Sequence, residues 1–432
     1  MAERGPRRKP RLFDRAERAL ATFAERGTPE CAFFVPGRIE VLGKHTDYAG
    51  GRSLLCAIER GIALVASPRS DAGVRLLDVS DGSTVEVALA ADLPPATGWG
   101  TYPAAVARRL ARNFPGARTG ADIAFFSDLP PASGLSSSSA FVVGVLLALA
   151  HINVLGETAA YRDTLTTRED MAAYAAAIES GADFRGFAGD LGVGTRGGSE
   201  DHTAILCGEP DRLLQYAFCP TRRERAVGLP RAFALVVGVS GVAAEKTGGA
   251  RDDYNRAARA AQTILELWRA STGYDDASLA DALARDDGPA LLRDVVAKAP
   301  EREFPRSALL DRLDHFIEES ERIVPTAAEL IARADWPALG DLVDRSQANA
   351  ERWLGNQVRE TIALARLARG LGAAAASAFG AGFGGSVWAL VPTASASAFA
   401  ESWADAYRRA FPSLAERSAF FPVRPAAAAS AE

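Results

Sequence analysis

The spacing of apolar residues changes period several times along the chain, and each change marks an element. Leu12 to Arg26 carries apolar residues at helical spacing and predicts an amphipathic helix. Ala32-Phe33-Phe34-Val35 is strand-like, and Ile39 and Val41 then alternate with polar neighbours before a tight polar loop. Ser53 to Ser67 and Val74 to Leu89 predict further strands, separated by turn residues. Trp99-Gly100-Thr101-Tyr102 opens a helix that ends near Phe114. A strand-like run, Ile123 to Phe126, precedes a Pro-, Gly- and Ser-rich stretch, and the mostly apolar Phe141 to Ala150 suffices for about three helical turns. Thr167 to Gly181 reads as helix, with Thr166 and Glu169 at capping-box spacing.

The second half follows an Arg-rich, proline-bounded stretch, Pro220 to Pro230, that reads as a linker. Phe233 to Val239 predicts a buried strand, and Arg251-Asp252-Asp253-Tyr254 opens a helix through Ala270. Helices dominate from Ser278 to Gly370, with breaks near Gly288, Glu303 and Asp335. An Ala-rich, helix-like run then leads to Gly380, and Ser386 to Val391 is strand-like. Strands interleaved with helices predict an α+β protein of two halves with its site between them. The expected division is residues 1–221, residues 222–424 and a disordered Ala-rich tail, 425–432.

Composition narrows the classes of function. The 432 residues suffice for two or three domains, and the net charge of −5 gives no support for nucleic-acid or anionic-membrane binding. No apolar run reaches membrane-spanning length. The basic Met1 to Arg11 is not followed by a signal-type apolar segment. Cys31, Cys56, Cys207 and Cys219 are scattered, as in a reduced cytoplasmic protein, and the four histidines lack zinc-ligand spacing.

Three stretches carry candidate chemistry. In Leu129-Pro130-Pro131-Ala132-Ser133-Gly134-Leu135-Ser136-Ser137-Ser138-Ser139-Ala140, four serines sit where a loop becomes a helix. A helix start offers unpaired N–H groups and a positive dipole end, so hydroxyls there suit phosphate oxygens and a metal ion. A plain N-cap is the alternative, and a Walker loop is excluded by the missing Gly-Lys-Ser/Thr ending. Second, Arg38, Lys44, His45, Asp47 and Tyr48 gather in one short stretch that can serve a polyhydroxylated ligand or form a charged surface loop. Third, Gly380-Ala381-Gly382-Phe383-Gly384-Gly385-Ser386 fits the dinucleotide spacing, but a strand follows where that motif needs a helix.

The segment from Gly37-Arg38 to Gly43-Lys44-His45-Thr46-Asp47-Tyr48 resembles the galactokinase signature. The Leu129–Ala140 loop resembles the phosphate loop of the GHMP kinases, and Gly380–Ser386 is similar to their C-terminal glycine motif. The three lie in the family's order. The resemblance implies a two-domain GHMP kinase fold, an N-terminal ribosomal-protein-S5-like domain and a C-terminal ferredoxin-like one, with ATP and Mg²⁺ as cofactors and a sugar as acceptor. Asp201, in Gly197-Gly198-Ser199-Glu200-Asp201-His202, would be the catalytic base, and Arg38 would stabilise charge on the transferred phosphoryl group. Lys44, His45, Asp47, Gly198 and Tyr254 would contact the sugar. Gly134, Leu135, Ser136, Ser137, Ser138, Gly382 and Gly384 would form the phosphate site, Trp99 would lie beside the adenine, and Ser138 with Glu179 would hold the metal. For Trp99 and Tyr254 ordinary core packing is the alternative, for Glu179 a solvated helix end, and for Asp201 a helix-terminal acid. His202 stands where the family has Gln and receives no role.

Two positions depart from the signature. Lys44 replaces its Glu, so an acceptor becomes a cation, and Ala49 replaces its Asn. The expected activity is phosphorylation of the anomeric hydroxyl of galactose or a galactose-like sugar. Lys44 opens the alternative of a uronic-acid or sugar-phosphate substrate, unless it turns outward or pairs with Glu40 or Glu200. A non-catalytic sugar and ATP sensor is the alternative from another class. Small-molecule partners are expected, neither nucleic acid nor membrane, and the oligomeric state stays open.

Overall fold

Alternation of side chains along two long strands decides how this chain folds. The computed structural model describes residues 9–243 and 250–432; the basic residues 1–8 lie outside it. Strands β1 (Cys31–Leu42) and β2 (Arg52–Pro68) pair antiparallel, and nearly every residue of both is buried. Around them lie β3 (Gly73–Asp78), β4 (Thr84–Ala88), β5 (Ala121–Ser127), β6 (Arg212–Ala217) and β7 (Arg222–Gly228). β5 pairs β2 and also runs parallel to β3, β4 pairs β3, and β6 joins the far end of β2 and carries β7.

The two faces of this sheet bury different residues. Ala32, Phe34, Ala63 and Val65 face helix Pro10–Phe23 through its Phe13, Ala16 and Leu20. Phe33, Val35, Ile62 and Leu64 face the larger core, which includes helix Ser137–Ile152. Strict period-two alternation sorts them, as a sheet covered on both faces requires. Ile39 and Val41 belong to that larger core, so Arg38 and Glu40 point the other way along the strand.

Strands β8 (Phe233–Val239), β9 (Ala375–Phe379), β10 (Ser386–Pro392) and β11 (Ala419–Val423) form a second, antiparallel sheet in the order β11-β8-β10-β9. Between β8 and β9 the chain is helical. One run starts as Arg306–Phe316, passes through a π-helical segment, Ile317–Ile323, and continues as Val324–Ala332. Pro325 lacks the N–H that an uninterrupted α-helix would need there, which accounts for the widened turn. That turn aims the fully buried Glu319 and Ser320 at the loop after β1: Gly43 N–H donates to Glu319 Oε1 at 2.9 Å and Arg52 N–H to Ser320 Oγ at 3.1 Å.

Four local expectations are corrected. The Arg-rich Pro220–Pro230 stretch is not a linker: its centre is β7, whose Arg222, Arg223 and Arg225 are exposed on an edge strand. Ala375–Phe379 is strand rather than helix, because pairing with β10 and burial between packed helices override the helix propensity of alanine. The capping box at helix Arg168–Ser180 uses Thr167 with Asp170, one residue later than expected, and Thr166 Oγ donates to the same carboxylate.

Fourth, the Ala-rich end is ordered. Strands β12 (Pro425–Ala426) and β13 (Ser430–Ala431) add to β2 and β1. Pro425 O accepts from Asp211 N–H at 3.0 Å, Ala428 and Ala429 donate to Gly208 and Ile205 carbonyls at 2.9 Å, and Glu432 N–H donates to Ala32 O at 3.0 Å. Small side chains let this backbone lie flat on the sheet, with Ala426 and Ala428 buried. Deleting residues 425–432 is therefore expected to lower the thermal unfolding midpoint by on the order of 5 °C. An unchanged midpoint would show that the tail contributes no stability.

Candidate active site

The cleft that gathers the candidate residues is walled by β1, the loop after it, the loop and helix at 195–202, and the turn between β9 and β10. It is lined by residues including Arg38, Glu40, His45, Asp47, Glu179, Thr195, Gly198, Glu200, Asp201, His202, Tyr254 and Gly380. Arg38 sits on β1 between two register shifts in the pairing with β2, the kind of irregularity that re-aims a strand side chain. Its Nε and one terminal nitrogen lie 2.7 and 2.6 Å from Asp201 Oδ1, and its other nitrogen donates to Gly134 O. Arg38 is 2% exposed and Asp201 8%. Burial opposes the guanidinium charge, but Asp201, Glu200 and Glu40 outweigh it and raise its pKa.

Asp201 lies in the first turn of helix Glu200–Cys207, where the helix dipole favours an anion. Ser139 links it to the neighbouring acid: its hydroxyl lies 2.9 Å from Glu179 Oε2 and 3.3 Å from Asp201 Oδ2. Sequence reasoning paired Glu179 with Ser138, but Ser139 is the serine that faces it; Ser138 is half-exposed one position earlier on the helix. His202, which had received no role, places Nε2 3.1 Å from Glu179 Oε2, outside hydrogen-bonding alignment. Glu179 is thus 4% exposed and belongs to the cleft rather than to a solvated helix end.

The serine loop behaves as an open helix start. No serine side chain caps helix Ser137–Ile152, so capping does not explain the run. Ser136 has φ 57° and a buried hydroxyl with no hydrogen-bond partner among the described residues. Ser137 and Ser138 are half-exposed in the first turn, Gly134 holds Arg38 through its carbonyl, and the buried Leu135 accepts Arg38 N–H at 3.1 Å.

The glycine turn packs differently from expectation. A Cβ at Gly382 would lie 2.3 Å from Asn356 O and one at Gly384 2.8 Å from Val242 O, so these two glycines serve close backbone packing away from the serine loop. The turn meets that loop instead through Gly380, Gly385 and Ser386, whose Oγ donates to Ser133 O at 2.6 Å. Trp99 packs edge-on against Phe125 and Phe141 at 5.9 Å, half-buried, outside this cleft.

The signature loop is fixed from several sides. His45 bonds Tyr48 Oη and Ala381 O, both at 2.9 Å, and its ring lies 5.0 Å from that of the buried Tyr254. Arg312, on helix Arg306–Phe316, donates to His45 O and Tyr48 Oη. Asp47 Oδ2 accepts Glu200 N–H at 3.2 Å, an approach that needs Gly198, where a Cβ would lie 2.4 Å from that oxygen.

Lys44 does not line the cleft. It is fully buried, and its Nζ lies 3.2 Å from Ser346 Oγ, which donates in turn to Glu319. The acids Glu319 and Glu40 draw the ammonium inward, so Lys44 braces the wall rather than meeting a substrate. It makes no ion pair with Glu40 or Glu200 within 4 Å among the described residues.

Three comparisons bear on this arrangement. Family models match in chain order: the galactokinase galactose-binding signature over residues 21–68, the GHMP kinase N-terminal domain over 101–198 and the GHMP kinase C-terminal domain over 327–409. The chain belongs to the GHMP kinases, in their galactokinase-like branch. Galactokinases of Roseiflexus sp. and Chloroflexus aurantiacus are each 29% identical to it, over 88% and 86% of both chains. A Lactococcus lactis galactokinase solved with galactose shares the fold, with a TM-score of 0.76, 23% identity, and coverage of 96% of this chain and 98% of that one. Methanococcus jannaschii mevalonate kinase shares it more loosely, with a TM-score of 0.57 and 13% identity over 93% of this chain and all of that one. The α+β architecture of a GHMP kinase is therefore present, and no helix among the described residues is long and apolar enough to cross a membrane.

This GHMP kinase cleft has two measurable electrostatic consequences. Lys44→Glu would add a carboxylate beside Glu40 and Glu319 in a dry wall, and is expected to cost about 3 kcal/mol or more in unfolding free energy; an unchanged denaturation midpoint would show position 44 to be solvated. Burial pushes the Glu40 carboxyl up to about 7, with Lys44 and Arg38 offsetting part of the shift and Glu319 adding to it. Its folded-state pKa lies above the unfolded one, so stability is expected to fall as pH rises from about 4.5 to 7 and then level. In Glu40→Gln that contribution disappears, so thermal melts of the two proteins should diverge across this window; parallel curves would contradict the assignment.

Proposed function

We propose that this chain is an ATP-dependent sugar 1-kinase, transferring the γ-phosphoryl group of ATP to the anomeric hydroxyl of galactose or a galactose-like sugar. The observation that carries the reading is the buried Arg38–Asp201 pair at the junction of the serine loop and the cleft. Asp201 accepts the proton of the anomeric hydroxyl as that oxygen bonds to the γ-phosphorus and the bond to the β-phosphate oxygen breaks, releasing ADP. Arg38, held by Asp201 and Gly134 O, balances negative charge on the moving phosphoryl group. The N-terminus of helix Ser137–Ile152, with Ser136, Ser137 and Ser138, receives the triphosphate, and the unpartnered Ser136 hydroxyl is available to a phosphate oxygen. Half-buried Trp99 remains a wall for the adenine.

The donor set fits Mg²⁺: Glu179 and Ser139, with Ser138 adjacent, offer hard oxygens, and Mg²⁺ takes few of these and keeps waters. When bound, the ion neutralises charge on the phosphates. The cleft's charge selects the acceptor. Five carboxylates, Glu40, Asp47, Glu179, Glu200 and Asp201, line it with Arg38 as the one Lys or Arg among the described lining residues. Burial raises Glu40 and Glu200 above the usual carboxylate range. Carboxyl oxygens suit hydroxyl donors, and Lys44, lying behind the wall, offers a uronate no partner. His45, Asp47 and Tyr254 supply further polar and aromatic contact to the sugar.

Asp201→Asn keeps the shape and removes the base. It is expected to lower kcat with galactose by about 10² to 10⁴-fold while galactose KM changes only a few-fold. Unimpaired ADP formation by this variant would remove Asp201 from the role. On wild type, galactose should be turned over in preference to galacturonate, and the reverse order would refute the charge argument.

A further inference from the structure

Glu40 is a polar group of the cleft to which the proposed mechanism assigns no bond. Glu40 is 2% exposed yet lines the cleft, on the same strand and face as Arg38, two residues further along. Its two oxygens are not equivalent. Oε2 accepts the Gly380 N–H at 3.1 Å, which fixes the carboxylate against the turn between β9 and β10. Oε1 is buried and has no hydrogen-bond donor among the described residues. A buried, oriented acceptor with nothing to accept from is rare in folded proteins and calls for a partner that arrives later.

Neighbouring side chains do not supply that partner. Lys44 is committed to Ser346, and Arg38 to Asp201 and Gly134. The Glu200 side chain accepts from Ser53 instead. Both His45 nitrogens are engaged, with Tyr48 and Ala381. Glu40 lines the cleft, so a ligand that enters it can bring the missing donor.

We infer that Glu40 is a specificity-determining residue of the sugar site, its Oε1 accepting a hydrogen bond from a hydroxyl of the sugar other than the one phosphorylated. The inference rests on the sugar-kinase reading of the cleft. It also gives the cleft an acceptor that Lys44, a pure donor set behind the wall, does not provide. Gln at position 40 reverses the polarity at the free position. Gly380 N–H requires an acceptor, so the amide oxygen takes the place of Oε2 and the amide NH₂ replaces Oε1.

The test compares wild type and Glu40→Gln on galactose and on its 2-, 3-, 4- and 6-deoxy forms, by kinetics and by calorimetric binding. The expected result is a 10 to 100-fold rise in galactose KM and Kd for the variant, the range of a hydrogen bond to a charged group. The KM for ATP should stay within about twofold and kcat within a few-fold. One deoxy sugar, lacking the partner hydroxyl, should bind weakly to wild type and lose nothing further in the variant. An unchanged galactose affinity, or an equal loss for every deoxy sugar, would overturn the inference, the latter marking a role confined to holding Gly380. If wild type binds galactose without phosphorylating it, the kinase reading fails while the binding comparison still decides Glu40. If wild type binds none of these sugars, both fall.

Discussion

A buried charge pair, Arg38 with Asp201, ties the structure together. Its partners come from residues 163 positions apart, one on the long first strand and one in the first turn of a short helix. Two charges this far from water are tolerable only when each is neutralised and hydrogen-bonded, and removing one side of such a pair costs about 3–5 kcal/mol. The free end of the guanidinium is spent on Gly134 O, which fixes the serine loop to the same point. Sheet, helix Glu200–Cys207 and serine loop therefore register on one side chain.

A second layer of buried polar groups supports that point. Glu319 and Ser320, displayed by a widened helical turn, hold the backbone on both sides of the signature loop, and Arg312 holds its middle. Lys44 is absorbed into this layer. Its presence looks in the sequence like a changed substrate contact, and in three dimensions it is a brace between the loop and helix Trp336–Asn349. The carboxylates left facing the cleft lie beside the serine loop, which meets them at Arg38.

Much of this was legible in the sequence wherever a local rule and the tertiary environment agree. Alternation at Ile39 and Val41 marked a strand with one apolar face, and the four serines before an apolar run marked the point where a loop becomes a helix. Failures came where tertiary packing overrides a local preference. Alanines at 375–379 and 425–432 look helical or disordered alone, but their small size is what lets backbone pair and pack closely. Arginines at 222–225 look like a linker because an edge strand needs only one covered face. Ser138 and Ser139 differ by about 100° around a helix, a distinction that family resemblance alone did not resolve. Which glycine of the 380–385 turn faces the serine loop depends on contacts with residues 356 and 242, distant in the chain.

The central claim is that Asp201 and Arg38 direct a phosphoryl group onto the anomeric oxygen of a neutral sugar. Phosphorus NMR of the product formed from galactose and Mg·ATP tests it most directly, because the coupling pattern identifies the carbon that carries the phosphate. The account predicts a sugar 1-phosphate together with equimolar ADP. A phosphate on any other carbon, or ATP binding with no sugar phosphate formed, would contradict it.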